Sequence, residues 1–308
     1  MKKILISLAA LFAAAAMVSA QSMTDATETA KLANDSLAAE DYATALSGFQ
    51  EALKMAEACG DEGLELVATC KSIIPSILNR IAKSELKANN YDAAIAGLEQ
   101  TVTVAKEYGE DAVAEEAAGL IPECWLRKAN SLLNSKEFAG AAEAYGKVLE
   151  IRPGDGIAAL RKGMALENAG NIAEAEVAYK LAAENGQDKN ANAQLGKLYL
   201  KRALASLKGK KYADAVKDAL ASNELAPNPQ ALQIAGQASQ LSGKNADAIK
   251  YFEQYLEAAP TAKNAGQIAY TVGALYQNAK NNAKAKEFFQ KAVDLGYADA
   301  KAALSALK

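Results

Sequence analysis

The stretch WLRKANSLL, Trp125 to Leu133, has a counterpart in LRKGMALEN, Leu160 to Asn168. Leu-Arg-Lys returns 34 residues on, each time followed by a very small residue, Ala129 or Gly163. A third version, Leu200-Lys201-Arg202-Ala203, follows 40 residues later. A recurring basic pair before a small residue is either a by-product of a repeat or the working surface of one.

Aligning on that small residue extends the pattern along the chain. Very small residues stand at Ala33, Ala82, Ala129, Gly163, Ala203, Gly236 and Gly273, and twelve residues after each lies an alanine: Ala45, Ala94, Ala141, Ala175, Ala215, Ala248 and Ala285. Four residues beyond it comes a large side chain in six of the seven repeats: Phe49, Leu98, Tyr145, Tyr179, Phe252 and Phe289, with Ala219 the exception. Three residues before it stand Tyr42, Tyr91, Phe138, Ile172 and Tyr212, then Asn245 and Asn282. Two small residues let paired helices approach closely, and a large residue one turn on is expected to fill the space between that pair and the next. Apolar residues at Trp125, Ala129, Leu132 and Leu133 keep helical spacing.

This pattern resembles the tetratricopeptide repeat family over residues 26–297. The resemblance implies an all-α fold, a right-handed superhelical solenoid of about seven helix-turn-helix units. The prolines give a second reading of the register. Pro153, Pro227 and Pro260 lie twelve residues after the alanine, where a unit should end. Pro75, Pro122 and Pro229 lie seven before the small anchor, where a first helix should begin. The alanine-to-alanine steps of 49, 47, 34, 40, 33 and 37 residues predict extended helices at Asp61–Ile74 and Asp111–Ile121. We therefore expect long units over 21–120, shorter units over 121–297 and a capping helix over 298–308.

Met1-Lys2-Lys3, an apolar run to Met17 and Val18-Ser19-Ala20 read as a signal peptide cut after Ala20. Without Lys2 and Lys3, 32 basic residues face 37 acidic ones, a net charge of −5 from the full-length −3. The expected address is exported, with the periplasm first and secretion or envelope association behind it. A mature start at Gln21 resembles exported proteins of Bacteroidota. No later run has membrane-spanning length. Cys59, Cys70 and Cys124 form no disulfide framework; they read as small apolar side chains, with a Cys59–Cys70 bridge left open.

The catalytic inventory is thin. The chain has no histidine, the commonest general base and metal ligand. No zinc spacing and no phosphate-binding glycine loop occurs, so no cofactor, metal or enzymatic activity is expected. Asp188 to Asn192 starts like a calcium loop but lacks its glycine and terminal glutamate, and reads as an inter-helix loop. Lys208-Gly209-Lys210-Lys211 reads as a solvated basic turn, and nucleic acid is not an expected partner of this acidic chain.

Two positions before the small anchor, the first five repeats carry Lys31, Arg80, Arg127, Arg161 and Lys201; the last two carry Ile234 and Thr271. In the family that this chain resembles, first helices line a concave, ligand-binding wall. The resemblance places this column there, with Asn34, Asn130 and Lys197. Asn130, Lys197 and Lys201 match the family's grip on a peptide carboxylate, whereas Leu126 and Arg161 depart from it. A basic groove for acidic segments fits better. The opposing reading is helix-forming cations whose stems cover apolar neighbours, as Lys128, Lys162 and Arg202 do in it. Trp125 reads as core filling. The expected function is a protein-binding scaffold of the cell envelope, with a self-associating or complex-bracing structural component as the alternative.

Overall fold

The computed structural model describes residues 22–307. The signal-peptide reading falls on residues outside that range. Among the described residues the regular structure is helical throughout. The chain divides after Pro153 into two compact units.

The N-terminal unit holds three helix pairs. They are α1 (22–38) with α2 (Tyr42–Ala58), α3 (Leu64–Lys87) with α4 (Tyr91–Tyr108), and α5 (Asp111–Asn134) with α6 (Phe138–Ile151). The C-terminal unit holds α7 (Gly156–Asn168) with α8 (Ile172–Ala182), and α9 (Asp188–Lys208) with α10 (Tyr212–Leu225). It continues with α11 (Pro229–Leu241) and α12 (Asn245–Ala258), then α13 (Ala265–Asn278), α14 (Asn282–Asp294) and the short α15 (Ala300–Ala306).

Every second helix starts three residues before its alanine. The aromatic-to-asparagine column of the sequence is therefore the first residue of α2, α4, α6, α8, α10, α12 and α14. The turn before it is the same seven times. Glu40, Asn89, Lys136, Gly170, Lys210, Gly243 and Lys280 each take a positive φ between 60° and 87° or so. The following amide bonds back across the turn, as in Asp41 N to Ser36 O at 2.9 Å and Asn281 N to Tyr276 O at 2.9 Å. That pairing is the Schellman closure of a helix. The same residue then caps the next helix: its carbonyl accepts from the alanine N–H, Ala45 N to Asp41 O at 2.9 Å and Ala285 N to Asn281 O at 2.9 Å.

Only two of those seven turn residues are glycine, although a left-handed backbone costs an L-residue about 1–2 kcal/mol. Glycine loses more chain entropy on folding, which offsets part of that cost. Lys136→Gly, Lys210→Gly and Lys280→Gly should each stabilise by about 0.5–1 kcal/mol. Thermal unfolding of the three single variants checks this, and a lower melting temperature in all three would contradict it.

The close approach of paired helices is achieved in two complementary ways. In the first two repeats, a Cβ on Gly48 would lie 2.7 Å from Ala33 Cβ, and one on Gly97 would lie 3.0 Å from Ala82 Cβ. In repeats four, six and seven the glycine is on the first helix, and a ring covers it. A Cβ on Gly163 would lie 2.5 Å from Tyr179 Cδ1, with Phe252 at 2.5 Å from Gly236 and Phe289 at 2.6 Å from Gly273. Tyr179, Phe252 and Phe289 are all buried.

Two expectations are corrected. Pro75 and Pro122 do not open helices: each lies inside a 24-residue helix, α3 or α5. The segments upstream continue those helices because they have partners to bury against. Cys70 and Ile74 share a cluster with Phe49, Leu53, Val104 and Tyr108, and α2 and α4 are long enough, at 17 and 18 residues, to cover them. Asp188 to Asn192 is not a loop but the first turn of α9. The break lies earlier, at Ala183–Gln187, where Gly186 takes φ +82°. Pro229 does open α11, and Asn228 caps it by accepting from Gln230 N at 2.9 Å.

Candidate functional site

The small anchors fix which way each first helix faces. Ala33, Ala82, Ala129, Gly163 and Ala203 are buried, so the cation two residues earlier is turned away from the helix pair's interior. Lys31, Arg80, Arg127 and Lys201 are exposed, and Arg161 is half-buried. At the same position in α11, Ile234 is 3% exposed and packs with Ala203, Ala219 and Ala235. The basic column therefore ends where the position becomes part of the core.

The column's members are not equivalent. Arg127 Nε donates to Glu123 Oε1 at 3.2 Å along α5. The Arg80 guanidinium lies 5.9 Å from the centre of the Tyr42 ring. Asn34 and Lys197 are exposed, whereas Asn130 is half-buried and its Oδ1 accepts from the Tyr145 hydroxyl at 2.6 Å. Lys31, Asn34, Arg80, Arg127 and Asn130 belong to the N-terminal compact unit, and Arg161, Lys197 and Lys201 to the C-terminal one.

The second basic residue of the doublet has a different task. Lys128 Nζ is paired with Asp92 on α4 and sits 5.1 Å from the centre of the Trp125 ring. Trp125 itself is half-buried against the cluster of Leu98, Ala117 and Cys124. Arg202 grips Asp218 on α10 with two parallel bonds, Nε to Oδ2 at 2.7 Å and Nη2 to Oδ1 at 2.6 Å. Its Nη1 donates to Glu176 on α8 at 2.8 Å. These cations are not wet ends on apolar stems: they tie neighbouring helices together. Only their stems behave as the sequence suggested.

Glu176 also accepts from Lys180 at 2.7 Å and from the Tyr199 hydroxyl at 2.8 Å. Burial works to raise its pKa, but the bonds from Lys180, Arg202 and Tyr199 outweigh that and hold the carboxyl down at about 2. Arg202 is driven further above the usual guanidinium range, first by its bonds to Asp218. A smaller tie joins α3 to α5. Glu116 accepts from Asn79 Nδ2 at 2.6 Å and Lys83 Nζ at 2.5 Å, the bond from Lys83 drawing its carboxyl below the usual range against some burial.

The ties escaped the sequence reading because their partners lie 16 to 37 residues apart. One signal was present. Asp218 stands where other repeats have Gly48, Gly97, Ala144, Ala178, Tyr251 and Phe288, beside the exceptional Ala219. A carboxylate in a packing position requires a buried partner.

Among the described residues, no group of three or more Cys, Asp and Glu could hold a metal ion. No helix there is long and apolar enough to cross a membrane. Cys70 and Cys124 are buried thiols and Cys59 is half-buried; all three are free. Burial pushes the Cys70 and Cys124 thiols up, away from a reactive thiolate.

Tetratricopeptide repeat family models match residues 126–190, and again residues 229–261 and 266–295. No curated protein matches the sequence. Among solved structures the chain is similar to MamA protein, at 19% identity over 59% of this chain and 96% of that one, with a TM-score of 0.37. It is similar to YrrB, described as a TPR protein with an unusual peptide-binding site, at 22% identity over 61% and 91%, TM-score 0.35. A MamA segment from Desulfovibrio magneticus RS-1 matches at 17% identity over 56% and 94%, TM-score 0.33.

Proposed function

We propose that this chain is a non-enzymatic scaffold whose tetratricopeptide repeats bind a partner protein through an extended acidic segment. The observation that carries the reading is the split within the basic doublets. Lys128 and Arg202 are tied into the helix packing, while Lys31, Arg80, Arg127 and Lys201, at the neighbouring position, stay exposed. Arg127 pairs along its own helix with Glu123 and Arg80 lies over the Tyr42 ring, yet both remain exposed. Exposed cations at one register position leave a charge pattern to which carboxylates are attracted, with specificity and association rate as the main gains. The pattern of residues 1–20 supports an exported address, the periplasm first.

The test is capture of a partner from the native envelope by crosslinking and mass spectrometry, at low and high salt. Replacing Arg127, Arg161 and Lys201 together by Gln should weaken a salt-sensitive capture by about tenfold while leaving the helical signal intact. Unchanged capture by that folded variant would sink the basic-column reading.

A further inference from the structure

We propose that copies of this chain associate head to tail, a basic edge of the C-terminal compact unit in one copy meeting an acidic edge of the N-terminal unit in another. The division of charge comes first. Residues 22–153 carry 22 acidic and 12 basic side chains, whereas residues 154–308 carry 15 and 20. One chain thus holds two compact units of opposite sign, net −10 and +5. A second copy is attracted wherever its unlike unit approaches.

Five lysines of the C-terminal unit line one edge. Lys208, Lys210 and Lys211 at the α9–α10 turn, Lys244 at the α11–α12 turn and Lys280 at the α13–α14 turn are all exposed. Among the described residues, none of the five takes part in an ion pair. The turns from first to second helix lie at one end of antiparallel pairs, so consecutive repeats set these lysines in a row. Two of them oppose the local structure. Lys211 and Lys244 stand at the N-caps of α10 and α12, where other repeats have Asp41, Asn90, Glu137, Asn171 and Asn281. A lysine there accepts no bond from the first turn and brings its charge to the positive end of the helix. Helix stability does not account for it.

The same edge exposes a large apolar side chain. Leu241 ends α11, in the middle repeat of the row, and is 61% exposed. The equivalent residues, five after each small anchor, are Ala38, Lys87, Asn134, Asn168, Lys208 and Asn278. The N-terminal unit has a counterpart of opposite charge, where second helices lead into first ones. Asp61, Glu62 and Glu65 flank Leu64, which opens α3 and is 62% exposed. One repeat on, Glu110 and Asp111 continue the row. Acids suit helix starts, but that preference leaves the exposed leucine among them unexplained. Each edge therefore sets an apolar residue within charge, the arrangement of an interface with a dry centre and a polar rim.

A second copy also fits in register. Both rows carry one cluster per repeat, and helix-on-helix packing sets the step in each. With Leu64 against Leu241, its acids fall beside Lys244, and Glu110 and Asp111 beside the lysines of an adjacent turn. A polyanionic chain would pair with the lysines but leave Leu64 and its acids unused. The interface is heterologous, since each copy offers one edge of each kind. It goes beyond the acidic-segment reading and shares no residue with the basic column.

Sedimentation velocity of the full chain, over a range of concentrations at low and high salt, tests this. Association should appear at low salt and weaken about tenfold at high salt. Lys211→Asn/Lys244→Asn should weaken it by a similar factor while raising the melting temperature, because each change restores a cap. The decisive experiment mixes a basic-edge variant, Lys211→Asn/Leu241→Asn/Lys244→Asn, with an acidic-edge variant, Asp61→Asn/Leu64→Asn/Glu65→Gln. Each alone should stay monomeric, and the mixture should form pairs and nothing larger, because one intact edge of each kind remains. A parent chain that is monomeric throughout, undiminished association of either variant, or a mixture that stays monomeric or grows beyond pairs overturns the proposal. The Arg127, Arg161 and Lys201 triple variant should associate as the parent does. Loss of association there would move the contact to the basic column, overturning the edges and leaving the acidic-segment reading in place.

Discussion

Gly163→Ala should destabilise the C-terminal compact unit by roughly 2–3 kcal/mol, although the same change in an open helix stabilises by about 1 kcal/mol. The added Cβ would lie 2.5 Å from Tyr179 Cδ1 and 2.6 Å from Cε1, closer than any carbon pair tolerates. The ring has little freedom to withdraw. Tyr179 is buried, and its hydroxyl donates to Glu167 Oε2 at 2.9 Å. That hydroxyl titrates well above the ordinary range, because burial and the Glu167 carboxylate both disfavour the phenolate. Phe252 over Gly236 lacks such a tether, so Gly236→Ala should cost less. Gly119 on α5 gives the control: nothing lies within 4 Å of its added Cβ, and Gly119→Ala should stabilise by about 0.5–1 kcal/mol.

The repeat itself says how the clash can be relieved. Repeats two and five combine an alanine anchor with Leu98 or Ala219, whereas repeats one and three keep a ring, Phe49 or Tyr145, with Ala33 or Ala129, so a smaller residue is one route and a shifted ring the other. Adding Tyr179→Leu to Gly163→Ala should recover much of the loss, giving a coupling of more than 1 kcal/mol in a double-mutant cycle. Denaturant unfolding followed by circular dichroism measures all four species. Additive effects would mean that the ring already moves aside without help.

These pairs also show what the sequence disclosed and what it withheld. The small anchor, the alanine and the large residue four beyond it were legible because they recur in phase, and all are packing residues within one helix pair. Pro229 was read correctly because proline at a helix's first turn is a local rule. Pro75 and Pro122 obeyed the same spacing yet sit inside helices, since burial of Cys70 and Ile74 against α2 and α4, and of Ala117 against α4, overrides a local preference. The left-handed turns were invisible for a related reason: Lys136, Lys210 and Lys280 are poor signals of positive φ, and the Schellman closure imposes it on them. In the basic doublets, sequence set the second residue apart as a stem lying on apolar neighbours but could not show the acid it pairs with. Only the helices brought together in space distinguish Lys201, facing solvent, from Arg202, facing Asp218.

Arg202→Met should therefore be far more damaging than Lys201→Met, by roughly 2–4 kcal/mol. Asp218 is 5% exposed, and removing the guanidinium leaves its carboxylate buried without the two bonds that offset its desolvation. The arginine side chain is 38% exposed, so water screens part of the interaction and the lower half of that range is expected. Arg202→Met/Asp218→Leu should restore most of the loss, because a packed apolar pair needs no desolvated charge. The pH dependence separates the ion pair from packing. Glu176 has a folded pKa of about 2 against an ordinary 4.5, so its contribution is complete above about pH 4.5 and is lost as pH falls toward 2. With Arg202 gone, one of the donors holding that carboxyl down is missing, its folded pKa rises, and the acid limb of the stability profile flattens. Lys201→Met leaves the limb unchanged. An Arg202→Met protein that keeps the original slope between pH 5 and 2 would mean that Lys180 and Tyr199 hold Glu176 without it, and that the three-helix tie is weaker than its geometry suggests.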